Sequence, residues 1–531
     1  MRLLDKKLPY LVILGILILY FLTHIFRLTY MPVFADEAIY IRWSQLILDD
    51  WQRYLFFPLN DGKTPLYIWL QIPFLKIFQD PLFAGRFLAV LIGAVQFIVI
   101  KRIIERLEGK NLSQLIGMIS VMVLPFWVFY HRMALIDGLL TLFLSTTILG
   151  LIELSRQSVV TTKKSTNYFL SKRVIFWIFF TGVNYGFAIL TKLPAIFFLP
   201  VFPIFSQLFS KRWTFFSNQV WKNLICMGIA SFIGLTMFAA LKIHPAFGQL
   251  FSRGQDFTFT VSELIGGQWR ASINNIGKVI FWEGSYISFT FVALTFLSIF
   301  FSKQRRLHLI FLVSMFIFVT PFIVFGRVLS PRYVLPMILF STVSISLFLE
   351  ELYSELKTFR WVIIAICVPA VFIVIRFFWS LWFNFNTLAL VPIDREQYIE
   401  EWSAGQGNRE MAEIITEKAK TGRVVVATEG YFGTLPDGLL MYFHNRNVEN
   451  IEIFGVGQPI YKIPDEWYQK AQTAETAYLL VNTYRMFVVD PCLTLAYKFP
   501  RPGESSSLDV YELQKGCLPD NSVLELSTDN E

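Results

Sequence analysis

Charge is what this sequence has least of. Asp, Glu, Lys and Arg make up 16% of its 531 residues, where a soluble domain keeps about 25%. With 55% hydrophobic residues and a mean hydropathy of +0.52, the shortfall points to lipid as the main solvent. Cysteine is scarce as well, at four residues. Cys226 and Cys367 fall inside apolar runs and read as inert packing residues, which leaves Cys492 and Cys517 in the polar tail. Histidine numbers five, and His24, His131 and His244 do not have metal-ligand spacing. No metal or other cofactor is therefore assigned, although a divalent ion helping a carboxylate face a phosphate stays open. A cleavable signal peptide is missing too. The first apolar run, about 9–29, is longer than a signal core and has no small-residue cleavage site, so it is expected to remain as a membrane helix.

Long apolar runs and aromatics are what the sequence does have, including 55 Phe, read as lipid-facing filler and interfacial belts. A hydrocarbon core of about 30 Å needs about 20 apolar residues as helix. That ruler predicts a polytopic α-helical protein of about eleven spans, near 9–29, 82–103, 112–130, 138–153, 174–191, 193–210, 222–243, 285–302, 307–326, 333–350 and 361–383. Pro65, Pro73 and Lys76 break the run at 65–79, which is expected to lie at the interface or re-enter. The net charge of +8 sits in short clusters between apolar runs, which is an orienting pattern and not a nucleic-acid footprint. Lys6-Lys7, Lys101-Arg102, Lys163-Lys164 with Lys172-Arg173, Lys211-Arg212, Lys303 with Arg305-Arg306, and Lys357 with Arg360 all fall on the N-terminal side of the threading. That side is expected to be cytoplasmic. Loops at 30–81 and 244–284, and everything after about 384, then face outward.

The chain is thus expected to divide into a membrane domain, 1–384, and a soluble extracytoplasmic α/β domain, 385–531. In the latter, Arg423–Thr428 and Ala477–Val481 read as buried strands, and Arg409–Ala419 has helical spacing. Leu493–Phe499 and Leu508–Leu513 read as a terminal hairpin. Such a hairpin brings Cys492 and Cys517 to neighbouring strand ends, and an outer compartment lets thiols oxidise, so a disulfide is expected between them.

The first outer loop opens with Asp36-Glu37, followed by Tyr40, Arg42 and Trp43, then Lys63 and Tyr67. Adjacent loop carboxylates are commonly only solvated charges. Here acid, base and aromatic side chains at one membrane surface suit a lipid head group bearing a phosphate and a polar substituent. Six stretches occur in order: Ala35-Asp36-Glu37-Ala38-Ile39-Tyr40, Gly62-Lys63-Thr64-Pro65-Leu66-Tyr67, Ala84-Gly85-Arg86-Phe87, Arg132-Met133-Ala134-Leu135-Ile136-Asp137, Ala188-Ile189-Leu190-Thr191-Lys192 and Ser330-Pro331-Arg332-Tyr333-Val334-Leu335-Pro336. Together they resemble the GT-C fold glycosyltransferases, in particular the protein O-mannosyltransferases and the lipid A aminoarabinose transferases. The resemblance is good over about 1–210, thin to 325 and absent from the tail. Thr64 departs from the Pro that many relatives carry.

The resemblance implies a GT-C-like membrane enzyme using a polyprenyl-phosphate sugar donor and a lipid, glycan or protein acceptor. Such a donor already carries a good leaving group, so the enzyme must place the acceptor, take its proton and hold the departing phosphate. Asp36, Glu37 and Asp137 are the candidate acids and bases. Lys63, Arg86, Arg132 and Arg332 are the candidates for the donor phosphate, and Tyr40, Tyr67 and Tyr333 for substrate contacts. Each has a plainer reading: Asp137 as a helix N-terminal charge, Lys63 as a snorkelling side chain, Arg86 as an interfacial anchor, Lys192 as a turn residue. The alternatives in function are a lipid-linked oligosaccharide polymerase or ligase, a transporter or flippase, and a receptor-like module.

Overall fold

The computed structural model describes residues 10–161, 168–210, 213, 217–444, 449–503 and 506–517. Lys6-Lys7, Lys163-Lys164 and Lys211-Arg212 lie outside them. The protein is mostly helical, and it divides into two compact units: one of 1–26, 53–70 and 86–381, the other of 27–52, 71–85 and 382–531.

The first unit is a set of apolar helices, and the protein is a membrane protein. Among the described residues seven helices are long and apolar enough to cross a bilayer: Pro81–Arg106, Ile136–Val159, Lys172–Thr191, Asn218–Ile243, Arg305–Phe325, Met337–Glu355 and Arg360–Phe383. An eighth span is a pair bent by 110°, Val261–Ile287 with Phe289–Phe301. The bend falls at Ser288, a non-glycine residue at φ 89°. The other three segments expected to cross are shorter or broken. Tyr10–Ile25 has 16 residues. The segment 112–130 breaks at Leu124 before Pro125, giving Asn111–Val123 and Pro125–Tyr130. The segment 193–210 becomes a 3-10 turn, Leu193–Phe198, and a short helix, Val201–Phe205. Proline is the cause in both breaks: it cannot donate to the preceding turn, and it disfavours helical backbone in the residue before it. The run at 65–79 forms a helix of 12 residues, Leu66–Ile77, with Pro73 inside. At about 18 Å it is too short to cross alone.

The second unit holds a five-stranded sheet in the order β4-β3-β5-β7-β6, with β3 Val424–Glu429, β4 Ile451–Gly457, β5 Thr476–Asn482, β6 Leu493–Pro500 and β7 Ser507–Leu513. β3 pairs parallel with β4 and β5, and β7 pairs antiparallel with β5 and β6. Every residue of β3 and β5 is buried, which is why both strands read as unbroken apolar runs without alternation. On one face Val425, Ala427, Leu479 and Val481 pack with Trp467 and Tyr468 of the helix Asp465–Gln472. The helix Asn408–Ala419 buries Met411, Ala412 and Ile415. At the end of the sheet Cys492 and Cys517 are joined, with Cα atoms 5.6 Å apart, and Gln514 N donates to Cys492 O across the hairpin at 2.9 Å.

Two pieces of the expected first loop belong to this unit. Val33–Phe34 (β1) pairs antiparallel with Ala404–Gly405 (β2). The helix that follows, Ala35–Asp49, is fastened by Gln45 Nε2 to Met441 O at 2.9 Å and by Asp49 to His444 Nε2 at 2.9 Å. The stretch 71–85 adds an ion pair between Asp80 and Arg409.

Candidate active site

In the second unit the acidic pair forms the first turn of Ala35–Asp49. Carboxylates are stabilised there by the helix dipole and by backbone N–H groups without helical partners. Glu37 uses both effects: it is fully buried, and its Oε2 accepts from Phe34 N at 3.0 Å. Asp36 is half-buried on the same turn. Tyr40 and Trp43 are buried one turn on, their rings tilted with centroids 6.2 Å apart. Arg42 lies near Asp437, whose carboxyl burial pushes up to about 6, against the opposing pull of Gly433 N–H and Arg42.

In the first unit Lys63 follows Gly62, which turns the chain at φ 70°. Lys63 N donates to Pro58 O at 3.1 Å, and its ammonium stands 3.8 Å from Asp61. Asp61 also pairs with Arg253, tying the turn to the region 245–257. Tyr67 and Arg86 are buried. Arg132 donates to the carbonyls of Thr23, His24 and Phe26 at 3.0, 2.6 and 3.0 Å. It satisfies the open end of Tyr10–Ile25, the favourable place for a cation on a helix.

Asp137, Lys192, Arg332 and Tyr333, far apart in the chain, come together in this unit. Asp137, 1% exposed in the first turn of its helix, accepts from Lys192 Nζ at 2.6 Å. Lys192 caps the end of Lys172–Thr191, and its Nζ lies 4.4 Å from the Tyr333 ring centroid. Arg332, buried in the turn Pro331–Val334, has its guanidinium 5.4 Å from the same ring. Two cations thus meet one aromatic ring with one carboxylate beside them, an arrangement able to receive a phosphate.

By sequence alone Lys192 is a turn residue, and Glu283 carries no motif. That carboxylate is buried within an apolar helix and accepts from Ser341 Oγ. Glu283 falls in the expected outer loop 244–284, just before the expected span 285–302, so no local pattern singles it out. Among the described residues no three His, Cys, Asp or Glu side chains gather as a metal-binding group.

Residues 54–247 match the family model described as dolichyl-phosphate-mannose-protein mannosyltransferase. No curated protein matches the sequence closely enough to count as a relative. Among solved structures, ArnT from Cupriavidus metallidurans bound to undecaprenyl phosphate is similar with a TM-score of 0.56 at 14% identity, over 94% of this chain and 97% of that one. Its apo state gives 0.55 over the same shares. The oligosaccharyltransferase AglB from Archaeoglobus fulgidus, in complex with an inhibitory peptide and a dolichol-phosphate, gives 0.50 at 11% identity, over 89% of this chain and 69% of that one. The family match and these likenesses agree on one architecture: the chain is a membrane protein with the fold of the GT-C glycosyltransferases.

Proposed function

We propose that this chain transfers a hexosyl or pentosyl group from a polyprenyl-phosphate donor to a lipid, glycan or protein acceptor, at the outer face of the cytoplasmic membrane and with inversion. The observation that carries the reading is the meeting of Lys192 and Arg332 at Tyr333 beside Asp137. The match to the dolichyl-phosphate-mannose-protein mannosyltransferase family model, and a similar fold with undecaprenyl phosphate bound, support the donor class.

In the proposed reaction an acceptor oxygen attacks the anomeric carbon while the bond from that carbon to the phosphate oxygen breaks. The electron pair leaves with the polyprenyl phosphate, and the acceptor proton passes to Asp36. Glu37, engaged with Phe34 N, orients that turn. Arg332 presents a fork to the phosphate, and Lys192, Lys63 and Arg86 add charge. Asp137 holds Lys192, Tyr333 is the aromatic contact, and Arg132 positions the first helix. The N-terminus is cytoplasmic and the 385–531 domain outside, a reading supported by the Lys and Arg distribution and by the disulfide, which persists where thiols oxidise.

The test is a panel of radiolabelled polyprenyl-phosphate sugars offered to the purified protein with acceptor-bearing membrane extract. Transfer from one donor is expected; failure to transfer from any of them would end the reading.

A further inference from the structure

The three parallel strands of the second unit, β4, β3 and β5, end at one edge of the sheet, and each hands over to a loop that exposes an aromatic ring. After β3 come Tyr431 (65% exposed) and Phe432 (49%), after β4 Tyr461 (61%), and after β5 Tyr484 (50%). Large apolar rings are normally hidden, and four gathered at the carboxyl edge of a parallel sheet stand where open α/β sheets bind ligands.

These loops are built to hold the rings still. Gly430 and Gly433, at φ 83° and 104°, bracket the Tyr431-Phe432 pair. Gly430 N donates to Gly457 O at 2.6 Å, which ties the first loop to the second. Ile460 N donates to Arg485 O and Phe487 N to Ile460 O, both at 2.8 Å, which ties the second to the third. Tyr461 stacks on Phe487 with centroids 5.1 Å apart. Tyr484 itself sits at φ 55°, a left-handed backbone that a turn would ordinarily give to Gly, Asn or Asp. Spending a tyrosine there costs conformational energy, and such strain gathers at ligand-holding positions.

Charge at this edge argues for the kind of ligand. Glu429 accepts from Arg485 Nη1 at 2.5 Å and from Asn482 N and Nδ2 at 2.9 and 3.0 Å. Arg485 also lies 4.2 Å from the Trp402 ring centroid. Arg501 donates to Ala404 O, Asn482 Oδ1 and Ser506 Oγ at 3.0, 2.6 and 3.2 Å. The buried charges are thus engaged within the protein. Of the loop side chains, Lys462 carries a positive charge, and the Tyr484 hydroxyl donates to Glu401, which stands before β2. A platform with apolar faces and phenolic hydroxyls, whose neighbouring Glu429, Arg485 and Arg501 are engaged within the protein, matches the C–H faces and hydroxyl edges of an uncharged sugar. It is a poor match to a phosphate or an anionic lipid surface.

We propose that this aromatic edge is a binding site for neutral oligosaccharide. The experiment is saturation-transfer NMR on the full chain in detergent, with mannotriose, maltotriose and cellotriose as probes. Saturation of pyranose ring protons is expected with one or more of them. Tyr431→Ala, Tyr461→Ala and Tyr484→Ala should each weaken binding about 3- to 10-fold, on the scale of one stacked ring. Tyr431→Phe and Tyr461→Phe should restore it, because the ring remains. Asp36→Asn should bind as the wild type does, so a failure of the transfer reading leaves this result untouched. No saturation with any trisaccharide, or equal saturation in the combined alanine variant, would overturn the proposal. So would quenching of a Tyr484→Trp reporter by brominated lipid in nanodiscs, which would assign the edge to the membrane surface.

Discussion

Asp36 and Glu37 are neighbours of the same chemical type in one helical turn, Glu37 fully buried with its Oε2 accepting from Phe34 N and Asp36 half-buried; Asp36 is the proposed base. Asp36→Asn should therefore cut turnover about 10²–10⁴-fold, the cost of one general base, while donor binding stays; rates and donor affinity measured side by side check both halves. Arg332→Ala should weaken donor-lipid binding, and Arg332→Lys should recover only part of it, because a point charge replaces the fork; equal affinity in all three proteins would remove Arg332 from the phosphate. Asp437 makes a pH prediction. Its carboxyl is raised to about 6 when folded, so the folded state binds the proton more tightly than the unfolded one. Its stabilising contribution is complete below pH of about 4 and is lost as pH rises through about 6. Amide exchange at 433–441 should quicken over that window and become level in Asp437→Asn. At this scale the sequence carries no sign of which side chains pair. Asp137 and Lys192 lie 55 residues apart, and no local pattern announces their pair.

Helices and strands were legible where composition alone decides them. The long apolar runs are helical over most of their length, because a backbone in lipid must satisfy its own hydrogen bonds. The breaks at Pro125 and across 193–205 were harder to see, since apolar length hides a missing N–H. In the sheet, β3, β5 and the terminal hairpin were visible, while β4 and the helix Asp465–Gln472 were not. β4 is half-buried through most of its length, so it lacks the continuous apolar run that marks its neighbours. The disulfide at the end of the hairpin closes a loop with a sequence separation of 25. Its loss in Cys492→Ser should destabilise that unit by roughly 3 kcal/mol in the chain-entropy account. Non-reducing mass spectrometry should find the linked peptide pair in the wild type.

The whole molecule carries the topological prediction. A cysteine placed at Ser505 should react with an impermeant reagent applied to intact cells, and one placed at Thr161 should not. The reverse pattern would invert the proposed orientation. What the sequence could not show at this scale is that 27–52 and 71–85 belong to the same unit as the tail. Pairing of β1 with β2 is set by backbone groups, which every residue type carries. That pairing also sets a schedule for the growing chain. Phe34 meets Ala404, which is made roughly 370 residues later; at about 5–20 residues per second the wait is on the order of 20–70 s. Until then the turn bearing Asp36 lacks the strand that anchors it. A nascent or truncated chain can therefore be inserted in the bilayer, complete in its first helices, and still have the Asp36 turn unseated.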